Sequence, residues 1–258
     1  MLGVVGLAVL TVVVAAAALA VRGREAQVVP AAQGERGPVL LVPGYGGGTD
    51  ALDVLADALV DEGRAVTIVD PPGDGTGDLH EQARHLAVVA DRAMADARAD
   101  SVDLVGYSAG GVVARLWVED PSAASVVRRV VTLASPHHGS DLAELAAGLG
   151  PGSCTGACRQ LAPGSDLLRA LNAGDETPAG PRWMAIWTTD DQTVVPPTSG
   201  ELAGAVGFSV QSVCPALTVT HADVPRAPAV VAMTLAALGT TEPVVPGAEV
   251  CRGPGGAP

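Results

Sequence analysis

Five short runs of almost unbroken apolar residues punctuate the chain: "PVLLV" at 38–42, "AVTIV" at 65–69, "VDLVG" at 102–106, "VVTLA" at 130–134 and "WMAIWT" at 183–188. Half-exposed strands alternate apolar and polar residues, so runs this continuous predict strands covered on both faces. Between them 50–62, 79–99 and 110–118 read as helices, and 228–238 reads as the last one. Strand and helix in alternation predict an α/β fold, with a mainly parallel central sheet and helices on both faces.

The segment 141–180 interrupts this rhythm. It is rich in Gly, Pro and small polar residues, and only two short helical pieces are predicted, near 141–148 and 165–172. An insertion of this length reads as a short cap or a border to a site, not as scaffold. The resulting plan is a segment 1–21 of its own, a polar linker at 22–37, one domain at 38–240 and a C-terminal tail at 241–258. The closing "GPGGAP" is expected to be disordered.

Composition narrows the function classes. The 258 residues, 48% of them hydrophobic, suffice for one sizeable core. A net charge of −13 and the lack of any basic stripe exclude a nucleic-acid partner, since phosphate contacts need clustered cations. Residues 2–21 carry no charge and are long enough to cross a bilayer. They end in Ala18-Leu19-Ala20, a small-x-small cleavage pattern, but no Lys or Arg precedes them, while Arg22 and Arg24 follow. A cleaved signal peptide and an uncleaved membrane anchor both remain open. The expected location is accordingly secreted or on the outer face of the cell membrane, with membrane association through residues 2–21 in the second case.

An even count of cysteines in an exported chain points to disulfides. Cys154 and Cys158 are close enough in sequence to bridge within a helical or tight turn. The expected pairs are Cys154–Cys158 and Cys214–Cys251, the second tethering the tail. Zinc is the weaker reading, because C-x3-C with two isolated cysteines does not match paired ligand motifs. The adjacent His137 and His138 point opposite ways on an extended loop, so they are read as packing and hydrogen bonding beside a site. The loop "DPPGDGTGD" at 70–78 lacks calcium-loop spacing and is read as a rim loop. No metal or cofactor is expected.

The chemistry centres on "GYSAG" at 106–110, between an apolar strand and a helical stretch. A serine on a sharp strand-to-helix turn needs small neighbours, and Gly106, Ala109, Gly110 and Gly111 supply them. Its hydroxyl then stands above the sheet edge as a nucleophile, provided that a base takes its proton. On such a scaffold the acid and then the histidine follow the serine in sequence. Of five histidines only His221 comes after an acid at a strand end; it is read as lying between a last strand and the last helix. "WMAIWTTDDQTVVPP" offers Asp190 and Asp191 as that acid, and the residues alone do not separate them.

Taken together, "LLVPGYGGG", "VDLVGYSAGGVVARLW", "VVTLASPHHGS", "DQTVVPP" and "THADVP" resemble, in order, the secreted lipases and esterases of the α/β-hydrolase superfamily, small actinobacterial lipases in particular. The resemblance spans roughly 38–238. It implies the α/β-hydrolase fold and a triad of Ser108, Asp191 and His221, since Asp191, Val194 and Pro196 fit the D-x-x-V-x-P frame of such lipases. It also implies an oxyanion hole made by the backbone N–H groups of Tyr45 and Ala109. Many relatives have His-Gly where this chain has Pro43-Gly44, so any role of that histidine side chain is lost here.

The implied activity is hydrolysis of carboxylic esters, lipid esters among them, through an acyl-enzyme, by a chain expected to be monomeric. Only six residues are aromatic, and the 141–180 insertion offers few large apolar side chains for a lid. An acyltransferase or thioesterase on the same triad, and a non-catalytic membrane-tethered binding protein of the same fold, are the alternative readings.

Overall fold

The computed structural model describes residues 28–150 and 152–254. The segment 1–21, the linker up to residue 27 and the last four residues lie outside them. Among the described residues no helix is long and apolar enough to cross a membrane.

Six parallel strands form one sheet: β1 (Val39–Val42), β2 (Val66–Ile68), β3 (Val102–Tyr107), β4 (Val127–Leu133), β5 (Arg182–Trp187) and β6 (Val206–Ser209), in the spatial order β2-β1-β3-β4-β5-β6. Every residue of β1, β3 and β4 is buried, as their continuous apolar runs require. Side chains alternate between the faces. Leu40, Val42, Leu104, Val130 and Ala185 pack with α2 (Leu79–Ala97) and α3 (Ala109–Val118). Val39, Leu41, Val105, Val131, Met184 and Ile186 pack with α1 (Asp53–Asp61) and the last long helix (Pro228–Ala237). Two cores, one on each face, hold the sheet.

The sequence reading differs from the structure at short elements. It missed a helix, α4 (Pro121–Val126), whose N-cap Asp120 accepts from the Ser122 N–H. In the insertion, α5 (Asp141–Gly148) and α7 (Asp166–Leu171) fall where helical pieces were expected, with a five-residue helix between them, α6 (Gly156–Gln160). The last strand is β6, not the stretch before His221. After β6 come α8 (Val210–Val213), an irregular segment, and α9, the helix Pro228–Ala237. The reason is local: β6 is an edge strand with only Phe208 buried, so it shows no continuous apolar run.

At the N-terminal edge of the sheet charge is buried. Asp103 Oδ2 accepts from Arg64 at 2.6 Å and from Arg128. The arginines also donate to main-chain carbonyls: Arg64 to Gly37 at 2.7 Å, Arg128 to Leu238 at 2.9 Å, Arg129 to Ala237 at 3.0 Å and Thr241 at 2.7 Å. Two of these partners lie at the C-terminal end of α9, where unpaired carbonyls and the helix dipole favour cations.

Two disulfides are present. Cys154–Cys158 closes a turn with a sequence separation of 4 and Cys214–Cys251 a loop with a separation of 37. In the chain-entropy account the longer loop contributes about 4 kcal/mol and the shorter about half of that.

Candidate active site

The chain leaves β1 toward β2 on one side and then returns to place β3 on the other. Loops after β1 and β3 therefore diverge and leave a crevice at the C-terminal sheet edge, the usual ligand position in open parallel sheets. Ser108 follows β3 directly and faces the loop 43–48 after β1.

Ser108 has φ 52° and ψ −125°, a strained conformation for a residue with a side chain. Its N–H donates to the Leu133 carbonyl at 2.8 Å, which ties the turn to the end of β4. The glycines are a steric necessity. A Cβ at Gly106 would lie 2.5 Å from the backbone of Gly111, and one at Gly110 would strike the carbonyls of Val42 and Pro43. Gly111 has no room either, because Ser135 occupies the space. The strand and the helix can meet at Ser108 only with hydrogen at these positions.

Ser108 Oγ lies 3.0 Å from His221 Nε2, and His221 Nδ1 lies 2.7 Å from Asp191 Oδ2. Asp191 is buried, and its other oxygen accepts the N–H groups of Thr193 and Val194, both at 2.8 Å. That arrangement accounts for the D-x-x-V spacing, since the third residue on supplies a donor that aims the carboxylate. A carboxylate beside Nδ1 holds the imidazole proton there and leaves Nε2 to accept from the serine hydroxyl.

His221 begins a single helical turn, His221–Asp223, and several groups outside the expected set hold it. The Tyr107 hydroxyl donates to the His221 carbonyl at 3.1 Å, and the two rings lie with centroids 5.2 Å apart. Burial, with Asp191 adding to it, pushes the Tyr107 phenol up to about 12, so it stays a donor through the working pH range. Ahead of His221, the Val219 N–H donates to Asp190 at 3.0 Å and the Val219 carbonyl accepts from Thr188 at 2.6 Å. Gln211 donates to Asp190 at 2.9 Å and to Thr188 at 2.8 Å. Asp190 thus braces the main chain that carries His221, while Asp191 braces its ring. The sequence reading missed Tyr107, Thr188 and Gln211 in these roles. The double aspartate was their one visible sign.

The loop after β1 comes close to Ser108: a Cβ at Gly44 would lie 3.0 Å from Ser108 Cβ. Ala109 opens α3, where the first N–H groups have no partner within the helix. Loop 70–78 packs against this region, with the Gly46 N–H donating to the Gly75 carbonyl at 3.3 Å. Of the adjacent histidines, His137 is fully buried with Nε2 3.0 Å from Thr132 Oγ1, and burial holds its pKa well below the ordinary value. His138 pairs with Glu176 at 3.0 Å. Among the described residues no cluster of three or more potential ligands could hold a metal ion.

A cavity of about 290 Å³ opens onto Ser108. Tyr45 and Pro136 border it, and Leu142, Ala143, Leu161 and Val194 give it apolar walls.

Part of the chain matches a known family model. The model of the alpha/beta hydrolase fold matches residues 37–153, from β1 through α5. The chain has the α/β-hydrolase fold. Among solved structures, Aspergillus fumigatus lipase B is similar with a TM-score of 0.68 at 22% identity, over 81% of this chain and 55% of that one. A Bacillus licheniformis lipase in its mature form is similar with a TM-score of 0.56 at 20% identity, over 70% of this chain and 84% of that one. An alpha/beta hydrolase from the metagenome of lagoon sediments at Mar Chica, Morocco, gives 0.52 at 22% identity, over 75% and 87%. This chain therefore spans little more than half of the Aspergillus lipase. No curated protein sequence matches it.

Proposed function

We propose that the protein is a serine hydrolase of carboxylic esters that works through an acyl-enzyme. One observation carries the reading: a continuous hydrogen-bonded path from Ser108 to His221 to Asp191, at 3.0 and 2.7 Å, opening into an apolar cavity. His221 Nε2 takes the proton of Ser108 as its Oγ attacks the ester carbonyl. The Asp191 carboxylate offsets the charge that develops on the imidazole. The carbonyl oxygen becomes negative in the tetrahedral intermediate and is met by the N–H groups of Tyr45 and Ala109. Collapse expels the alcohol, which takes the proton from His221. Water, deprotonated by the same nitrogen, then frees the acid and restores Ser108.

The cavity lies at the lower end of the roughly 300–1,000 Å³ usual for small-molecule sites. It suits short and medium acyl chains better than long ones. The lipases among the similar structures support an ester as the substrate class. The two disulfides support export to an oxidising compartment.

The test is hydrolysis of p-nitrophenyl esters from two to sixteen carbons by the domain and its Ser108→Ala variant. Turnover should fall by about four to six orders of magnitude in the variant and peak at short to medium chains in the parent. A loss under tenfold would remove Ser108 as the nucleophile. Serine-dependent turnover confined to thioesters or to alcohol acceptors would replace ester hydrolysis by the alternatives.

A further inference from the structure

The turn closed by Cys154 and Cys158 meets the Ser108 cavity on one side and the loop after β1 on the other. Ser153 and Cys158 line the cavity together with Tyr45. Between the two cysteines, Thr155 holds its Oγ1 2.9 Å from the Tyr45 hydroxyl. A ring of hydrogen bonds continues from there. The Ala157 N–H donates to the Thr76 carbonyl at 3.1 Å, and Gln160 accepts from the Leu79 N–H at 2.8 Å and donates to Asp78 at 2.6 Å. The 70–78 loop in turn accepts from the Gly46 N–H at 3.3 Å. There the packing is close enough that a Cβ at Gly75 would lie 2.6 Å from Gly47 N. Three loops are thereby closed into a circuit, and the disulfide supplies its covalent link.

Beyond the disulfide the turn is held by Arg159, which donates to the Cys154 carbonyl at 2.6 Å, and by the buried Ala157. Glycines with φ of 111° and 89°, Gly150 and Gly152, lead into it, and α5 before it buries no residue. The loop that the disulfide closes is so short that its effect on the unfolded chain is the smaller of the two.

We propose that the Cys154–Cys158 disulfide and Thr155 act chiefly as positioning elements for the Tyr45 backbone and for the cavity wall, beyond what the disulfide adds to global stability. The inference rests on the reading of Ser108 as nucleophile and of the Tyr45 N–H as an oxyanion donor. Removing one such donor typically costs about 100- to 1,000-fold in kcat, and loosening it costs part of that.

The experiment compares two double variants, Cys154→Ser with Cys158→Ser, and Cys214→Ser with Cys251→Ser. It measures kcat and KM on a two-carbon acyl ester, Tm, and amide hydrogen exchange at residues 44–47. The first variant should lose about tenfold or more in kcat at nearly unchanged KM, with a smaller fall in Tm than the second and with faster exchange at 44–47. The second should lose Tm and keep kcat. Thr155→Val should lower kcat several-fold and Thr155→Ser should retain it. A first variant with kcat within twofold of the parent, or with unaltered exchange at 44–47, overturns the proposal. If the parent itself shows no Ser108-dependent turnover, the hydrolase reading fails, and the exchange at 44–47 alone decides the positioning role.

Discussion

Asp191 turns one carboxylate oxygen to the amides of Thr193 and Val194 and the other to His221, whereas its neighbour Asp190 accepts from Val219 and Gln211. One step along the backbone separates a group that would share in charge development from one that holds a loop still. Asp191→Asn should lower kcat/KM by about 10⁴-fold, because an amide at that place favours the wrong imidazole tautomer. Asp190→Asn keeps an oxygen for the Val219 N–H and should cost about tenfold or less. Steady-state kinetics of the pair, run beside each other, check the division, and equal losses would sink it. Ser108 and His221 were legible because motif and order pointed to them. The residues alone left Asp190 and Asp191 open, and only the D-x-x-V-x-P frame of the lipases that the chain resembles singled out Asp191. The part played by Asp190 was not legible, since its partners Gln211 and Val219 are 21 and 29 residues away in sequence and meet it only after the loop has folded.

Elements with a nearly unbroken apolar run announced themselves even when short, as the three-residue β2 and the four-residue β1 did. All five strands read from the sequence lie within one to three residues of their observed ends. β6 was missed because Gly207 and Ser209 break its apolar run, and the helices α4 and α6 because 6 and 5 residues are too few for a helical period to show. A second blind spot concerns charge within strands. Asp103 sits in the apolar run of β3 and Arg128 and Arg129 in β4, all three buried, and nothing in either segment alone reveals that they meet. Removing the carboxylate leaves Arg64 and Arg128 buried without a counter-charge. Asp103→Asn should therefore destabilise the fold by about 3–5 kcal/mol, read by chemical denaturation. The folded fraction should keep the parent kcat, because these groups lie at the sheet edge opposite Ser108. Loss of kcat without loss of stability would contradict that separation.

At the scale of the whole molecule, stability should respond to His137. Burial, with Arg115 and His138 adding to it, disfavours the protonated imidazole in the folded state. Its folded pKa thus lies below the unfolded value near 6.5. The resulting stability is fully present above that value and is lost as the pH falls below it, because the unfolded chain binds the proton first. One proton sets a limiting slope of about 1.4 kcal/mol per pH unit. Denaturation curves between pH 7 and 5 should show this slope in the parent and a shallower one in His137→Gln. Identical slopes would mean that His137 is protonated alike in both states.

Residues 28–38 run along the N-terminal edge of the sheet, where Gln33 donates to the Arg128 carbonyl at 3.2 Å and Gly37 accepts from Arg64. The C-terminal segment instead climbs back: Cys251 is bonded to Cys214, just past the top of β6, and Gly253 lies against Pro228 at the start of α9. The two ends of the described residues thus lie on opposite sides of the sheet. A chain leaving Val28 therefore sets out from the side of the sheet opposite Ser108, next to Gly180 ahead of β5. A chain leaving Pro254 sets out from the same side as Ser108, beside the start of α9.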